Sequence, residues 1–520
     1  MHRRTSGVLM NISSLSGDYE VGTLGDEARE FIDIISEMGF TYWHLMSVNP
    51  TNDSNSPHER TSLFAGNPSL IEPSYLIGEG LLTADEVNKT KLAAGSKSEN
   101  TIDGMAGKRR LVLLKKAFSR LSNNMMDDVK AFAAKNKSWV YDYALFTILK
   151  SEYDNMAWDK WTTFGLRLHK DDAIRDMAMK RDSDIMFWVF VQYIFYKQMA
   201  SLKKYANERG IYIIGEMPLY ASFDSADVWA NREMYEINSK LSHKMVTGLP
   251  PDYSYKSGRL WGNPLYNWEA MKKDGYAWWL SRLGQALEMY DMIKIHQFSG
   301  FYTFWAVPYH NRTAKKGMWK IGPGMDIINR VKEVYKGLPI IAGDLGNDDN
   351  ESTKFLEEVG YPGIRVMQFG FESKKNEAHL PKNYNEDCVA YTSALDDLTI
   401  MNWYNNASEE ARSLSLEYCN SAPPTGEKAA SDMRVAWIEE LWNSKADLVI
   451  VPAQELCGHY EEPAVKKPPA PAPATAPAPV PAETKRFRLT NECIGKINKE
   501  WMKALNEQSG RAAPNEQAGS

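Results

Sequence analysis

The chain has 520 residues, 43% of them apolar and 25% charged, which are globular proportions that exclude a wholly disordered, collagen-like or membrane-embedded polypeptide. Its 61 basic and 67 acidic residues give a formal charge of -6, so no global positive field exists to hold a nucleic-acid backbone or an anionic membrane surface. This length accommodates about three ordinary domains or one large barrel with insertions.

The first ten residues are partly basic but carry no apolar run of signal-peptide length, and the longest apolar stretch, Ile185 to Tyr196, is too short to span a bilayer. Cys388, Cys419, Cys457 and Cys493 form neither a CxxC pair nor a zinc spacing and read as small buried apolar residues. Together these features predict a cytoplasmic protein.

Short apolar runs predict strands near 6–11, 41–48, 211–219, 292–298, 338–344, 364–370, 388–394 and 446–453. Most are continuously apolar, as in Ile211-Tyr-Ile-Ile and Asp447-Leu-Val-Ile-Val, which suits parallel strands buried on both faces. Helical patterns lie between them. After the first run, Ala28, Phe31, Ile32, Ile35 and Met38 recur at spacings of three and four and stop at Gly39. The expected fold is α/β, a (β/α)8 TIM barrel with helical and loop insertions.

The strand spacing predicts where material has been added. The barrel core is expected at 1–82 and 207–458, with a helical insertion subdomain at 83–206 that opens on a Thr83-Ala-Asp-Glu86 capping box. A substrate-loop insertion is expected at 241–268, where Pro250-Pro-Asp-Tyr and Arg259-Leu-Trp-Gly-Asn-Pro read as a turn-rich aromatic loop. Residues 459–484 read as an extended Pro/Ala-rich linker. Residues 485–509 read as a C-terminal helix on the barrel, with Ile494, Ile497, Trp501 and Leu505 on one face, and 510–520 as a disordered tail.

Barrel enzymes carry their reactive groups at the C-terminal ends of the strands. Those positions give Glu216, Lys294 with His296, Gly343 with Asp344, Gln368, Asp396 with Asp397, and Gln454 with Glu455. Tyr220, Tyr253, Trp261, Trp305 and Trp403 lie nearby in sequence. Flat aromatic faces beside paired carboxylates suit a sugar, whose C–H faces stack and whose hydroxyls need paired partners. The alternative is that the aromatics fill the helix–barrel interface and the acids merely solvate the mouth.

A series of motifs occurs in order: Arg4-Thr-Ser-Gly-Val-Leu, Ser13-Ser-Leu-Ser-Gly, Phe64-Ala-Gly-Asn-Pro, Asp224-Ser-Ala-Asp-Val-Trp, Gly248-Leu-Pro-Pro-Asp-Tyr, Leu260-Trp-Gly-Asn-Pro-Leu-Tyr, Phe298-Ser-Gly-Phe and Leu380-Pro-Lys-Asn-Tyr. Together they resemble the amylomaltases, or 4-alpha-glucanotransferases, from residue 4 to about 509 with a gap at the Pro/Ala segment. The resemblance implies a barrel with inserted subdomains, no cofactor and no metal, and retaining transfer of α-1,4-glucan segments. In that chemistry one carboxylate attacks the anomeric carbon, a second acts as acid and base, and a third Asp grips sugar hydroxyls.

Carried over by motif, the family's Arg-Ile-Asp-His-Phe-Arg-Gly strand reads here Lys294-Ile-His296-Gln-Phe-Ser-Gly300, so His296 stands at the nucleophile position. The family's Ala-Glu-Asp-Leu-Gly reads Ala342-Gly343-Asp344-Leu-Gly346, so Gly343 stands at the acid/base position. The family's His-Asp-Asn-Asp reads Leu395-Asp396-Asp397-Leu398, which retains Asp396 at the stabilising position. Asp344 lies one residue along a strand from Gly343, so its side chain faces the other way and cannot take over.

The expectation is therefore an amylomaltase-like pseudoenzyme that binds α-1,4-glucan or maltooligosaccharide through Asp252, Tyr253, Trp261, Lys294, Glu216 and Asp396, with little transfer activity. Two alternatives stand beside it. One is an active transferase with a non-standard residue set. The other is a scaffold that docks a protein partner through the barrel surface and the Pro/Ala linker.

Overall fold

The computed structural model describes residues 4–19, 21–51, 60–91, 106–251, 256–344, 350–372, 374–393, 399–424, 426–458 and 489–512. In chain order the strands are β1 (Thr5–Leu9), β2 (Tyr42–Leu45), β3 (Tyr212–Met217), β4 (Met245–Leu249), β5 (Arg259–Pro264), β6 (Met292–His296), β7 (Thr303–Pro308), β8 (Met318–Ile321), β9 (Ile340–Gly343), β10 (Gly363–Val366), β11 (Cys388–Tyr391) and β12 (Leu448–Pro452). Eight of these close into a parallel barrel in the order β1-β12-β11-β10-β9-β6-β3-β2. Each falls on one of the eight runs expected from the sequence, so the TIM barrel is the observed fold. The β10 run is shorter than expected: Met367–Glu372 turns into a helix, and Gln368 is buried in it rather than lying at a strand end.

Side chains alternate across each strand. Leu9, Ile214, Ile341, Val389 and Ile450 fill the barrel interior. Their opposite neighbours join the larger core between strands and helices, where Ala28, Phe31, Ile32 and Ile35 of the helix Asp26–Glu37 are buried. That helix ends before Gly39, whose φ of +79° admits a glycine without strain.

Residues 106–207 are largely helical, and the capping box forms: Glu86 N donates to Thr83 Oγ1 at 3.3 Å, and Thr83 N donates to Glu86 Oε2 at 3.0 Å. The longest helix, Asp182–Asn207, packs against Asp26–Glu37 and Ala277–Met289 and leads into β3. Among the described residues no helix is long and apolar enough to cross a membrane.

Three features differ from the sequence reading. The aromatic segment around Arg259 is not an irregular loop: β5 and β4 join β7 and β8 in a four-stranded sheet, ordered β5-β4-β7-β8 and antiparallel throughout. The C-terminal helix is two helices, Asn491–Lys496 and Lys499–Gln508, separated where Asn498 caps the second by accepting from Trp501 N at 3.0 Å. The tail is not disordered from Gly510. Arg511 is fully buried and donates to the carbonyls of Trp442, Ser444 and Thr5 at 3.0–3.1 Å. The Pro/Ala linker lies outside the described residues, as do 513–520.

The two C-terminal helices pack on the helices Glu427–Asn443 and Ala453–Cys457 that flank β12. Leu489 bridges to Leu15 in the turn after β1, Lys499 pairs with Glu37 at 2.9 Å, and Trp501 Nε1 donates to Glu439 at 3.3 Å. Asn506 closes the lower end: its Oδ1 accepts from Ser6 Oγ (2.6 Å) and Trp442 Nε1 (2.8 Å), and its Nδ2 donates to Met38 O (2.9 Å).

Candidate active site

Glu216, Lys294, His296 and Gly343 share the inward parity of the interior residues Ile214, Met292 and Ile341 on their strands, so they meet above the barrel's apolar filling. Glu216 on β3 is at the centre. Lys294 Nζ donates to its Oε1 at 3.1 Å, and His296 Nε2 lies 3.0 Å from its Oε2. The register β3–β6 sets Glu216 beside Lys294, and β6–β9 sets His296 beside Gly343.

Two further groups that sequence reasoning missed complete the cluster. His44 on β2 is fully buried with Nε2 3.4 Å from Glu216 Oε1, and the Tyr391 ring on β11 lies 4.9 Å from Lys294 Nζ. The Tyr391 hydroxyl stands 3.4 Å from His44 Nδ1. The available signal was a lone polar residue inside each short apolar strand, Tyr-Trp-His-Leu and Cys-Val-Ala-Tyr.

Burial opposes ionisation of Glu216, but His296 and Lys294 outweigh it and hold its carboxyl well below the usual range. Burial pushes the His44 imidazole down to about 4, so it is neutral at pH 7, and pushes the Tyr391 phenol up to about 12. The cluster thus presents one fixed carboxylate clasped by cationic and neutral donors. Its outermost member is His296, whose side chain is 33% exposed while that of Glu216 is 6% exposed.

At the end of β9 no side chain projects from Gly343. A Cβ built there would stand 2.5 Å from the Ile295 carbonyl oxygen and 3.2 Å from His296 Cα, so the two strands approach more closely than any larger residue allows. Gln297, directly after His296, takes the left-handed conformation with φ of +54° and donates its N–H to Gly343 O at 2.9 Å. Asp344 faces away from the cluster's parity and accepts from Ser299 N at 2.9 Å, a loop-bracing role.

Trp261 is not part of the ion cluster. It lies against Tyr220, with ring centroids 6.3 Å apart, over the turn that follows β3. Asp252, Tyr253 and Asp396 lie outside the described residues. Among the described residues no group of three or more His, Cys, Asp and Glu side chains is placed to hold a metal ion.

A family model described as 4-alpha-glucanotransferase matches residues 10–484. The chain is 34% identical over 463 residues to a 4-alpha-glucanotransferase of Clostridium butyricum, covering 88% of this chain and 93% of that one. It is 37% identical over 418 residues to a 4-alpha-glucanotransferase of Aquifex aeolicus, covering 80% and 84%. Among solved structures, the amylomaltase of Streptococcus agalactiae in complex with acarbose superposes with a TM-score of 0.87 at 29% identity, covering 98% of this chain and 100% of that chain.

Proposed function

The chain belongs to the 4-alpha-glucanotransferase family, and on that premise we propose that it binds α-1,4-glucan at the C-terminal mouth of the barrel while transferring glucan segments weakly or not at all. Retaining transfer needs a carboxylate nucleophile and a carboxylic acid about 5–5.5 Å apart across the scissile bond. Here His296 stands at the first position, already paired with Glu216, and Gly343 at the second. The observation that supports the reading is the backbone closure at Gly343, where the space a Cβ would need is taken by the Ile295 carbonyl.

An imidazole in either protonation state brings no negative charge to an oxocarbenium-like transition state, and Gly343 has no proton to donate. In other enzymes removal of such interdependent groups costs about a million-fold in rate. Glucan stacking on Trp261, with Asp252, Tyr253 and Asp396 as hydroxyl partners, needs none of that chemistry and is the retained part of the reading.

A second reading is supported by one feature, the ionised Glu216 carboxylate 3.0 Å from the His296 ring. If glucan displaces His296, Glu216 becomes the carboxylate of an active transferase.

Maltotriose incubation and maltoheptaose titration separate the two. Maltoheptaose is expected to quench tryptophan fluorescence and raise Tm, while glucose and longer dextrins from maltotriose stay at background. No response to maltoheptaose overturns the binding claim. Accumulation of glucose that disappears in folded Glu216→Gln establishes the second reading instead.

A further inference from the structure

β8 is an outer edge of the four-stranded sheet, with β7 on one side and no strand on the other among the described residues. Edge strands of stable proteins are guarded against pairing by bulges, prolines, strong twist or charge. The opposite edge follows that rule: β5 meets β4 across a bulge and carries Gly258 just before it and Gly262 within it, with φ of +66° and +80°. β8 has no bulge and no proline. It reads Met318-Trp-Lys-Ile321, and Met318, Trp319 and Ile321 are 54%, 48% and 84% exposed. Its one charge is engaged, because Lys320 Nζ donates to both carboxylate oxygens of Glu236 at 2.8 and 2.9 Å.

The register with β7 decides which backbone groups of β8 are left over. Thr303 pairs with Ile321, Phe304 with Lys320 and Trp305 with Trp319, and Gly322 N donates to Tyr302 O at 2.7 Å. That phase puts Met318, Lys320 and Gly322 in the hydrogen-bonded pairs with β7. Trp319 and Ile321 therefore aim their N–H and C=O groups outward. Their side chains share the face of Trp305, whose ring lies 5.4 Å from that of Trp319, while Phe304 and Ala306 occupy the other face.

We propose that β8 pairs antiparallel with β8 of a second copy of this chain, about a two-fold axis through Lys320, so that two four-stranded sheets become one. This is independent of the glucan reading. In that register Trp319 of each copy exchanges hydrogen bonds with Ile321 of the other, and an aromatic side chain meets a β-branched one on both sides of the axis. The two Lys320 side chains face each other at the axis. Each brings its own Glu236 carboxylate, so two neutral pairs meet, and each ammonium can share the other copy's carboxylate. A strand from another protein would have to match both the apolar pair and this alternation of charge, whereas a second copy supplies both by symmetry.

Sedimentation velocity of the full chain over a range of concentrations is expected to show a reversible passage from one copy to two. Ile321→Pro removes an outward N–H without touching the bonds to β7, and Ile321→Lys adds a charge on each side of the axis. Each is expected to raise the concentration of half-dimerisation at least about tenfold. Met179→Lys, at a residue 67% exposed on the helix Asp171–Lys180, is expected to leave it unchanged. Lys320→Cys sets two thiols opposite each other at the axis, in a pair without backbone hydrogen bonds, where strands approach most closely. Copper phenanthroline is expected to link that variant into a dimer on a non-reducing gel and to leave Met179→Cys unlinked, a readout that stands even if the Ile321 variants fold poorly. A chain that sediments as one copy at every concentration overturns the proposal and leaves the edge to a strand of another protein. A dimer that survives both Ile321 variants, with no link through Lys320→Cys, overturns it too, since another face then joins the copies.

Discussion

Lys294 and Glu216 are each more than nine-tenths buried, so their 3.1 Å contact is of the kind whose worth shows mainly when one partner is removed. Glu216→Gln leaves an ammonium in the barrel interior with His296 and His44 facing a neutral amide, and it is expected to lower unfolding free energy by about 3–5 kcal/mol in urea denaturation. Adding Lys294→Met should recover most of that loss, since both charges are then gone. At the neighbouring strand end, Gly343→Ala brings a methyl against the Ile295 carbonyl and is expected to cost about 1–3 kcal/mol by the same assay. Consequently His296→Asp with Gly343→Glu, which places carboxylates at the two positions proposed for nucleophile and acid/base, is expected to remain inactive on maltotriose. Measurable transfer by that variant would mean that β6 and β9 part readily. The placing of Glu216, Lys294, His296 and Gly343 at strand ends was legible in the sequence because the apolar runs fix those positions, whereas the closure at Gly343 was not, because it depends on the register of two strands.

Among elements, the eight barrel strands were legible because a strand buried on both faces must be continuously apolar, and few other structures demand four to six such residues in a row. The β5-β4-β7-β8 sheet was hidden for the converse reason. Arg259-Leu-Trp-Gly-Asn-Pro carries turn residues, and β8 is exposed along most of its length, so neither has the alternation that marks a strand. Their pairing is fixed by partners distant in sequence. The C-terminal helix was legible as an amphipathic pattern but not its interruption, since Asn498 caps only because Trp501 N lies within reach. Asn506 was invisible to pattern reasoning, being a polar residue in an otherwise ordinary helix. Its side chain makes three buried hydrogen bonds to Ser6, Trp442 and Met38, and Asn506→Ala is expected to destabilise by about 3 kcal/mol, read as a lower urea midpoint with unchanged slope.

For the molecule as a whole, acid stability depends on buried groups whose shifts differ in sign. Burial holds His44 and His243 each down to about 4, so between about pH 6.5 and 4 each takes up a proton only on unfolding, and their contribution is lost as pH falls through that window. Asp227, buried and raised to about 6, is protonated first in the folded chain, so its contribution is present at low pH and lost as pH rises through about 6. Denaturation at pH 7, 6 and 5 should therefore show His44→Gln losing less stability on acidification than the unaltered chain, by up to about 1.4 kcal/mol per pH unit. Asp227→Asn should lose more. An unchanged slope in His44→Gln would mean that the ring is already protonated in the fold.

The burial of Arg511 against the carbonyls of Thr5, Trp442 and Ser444 joins the first strand to residues almost 510 positions away. A ribosome releases the amino terminus long before it has made that arginine, and the tunnel still shelters the last turns when every barrel strand has emerged. The nascent chain must therefore wait with the β1–β12 seam uncovered, exposing apolar edges to neighbours and to chaperones. Closure therefore comes late in synthesis, after all the barrel strands, and a chain that lacks Arg511 makes a barrel without this fastening.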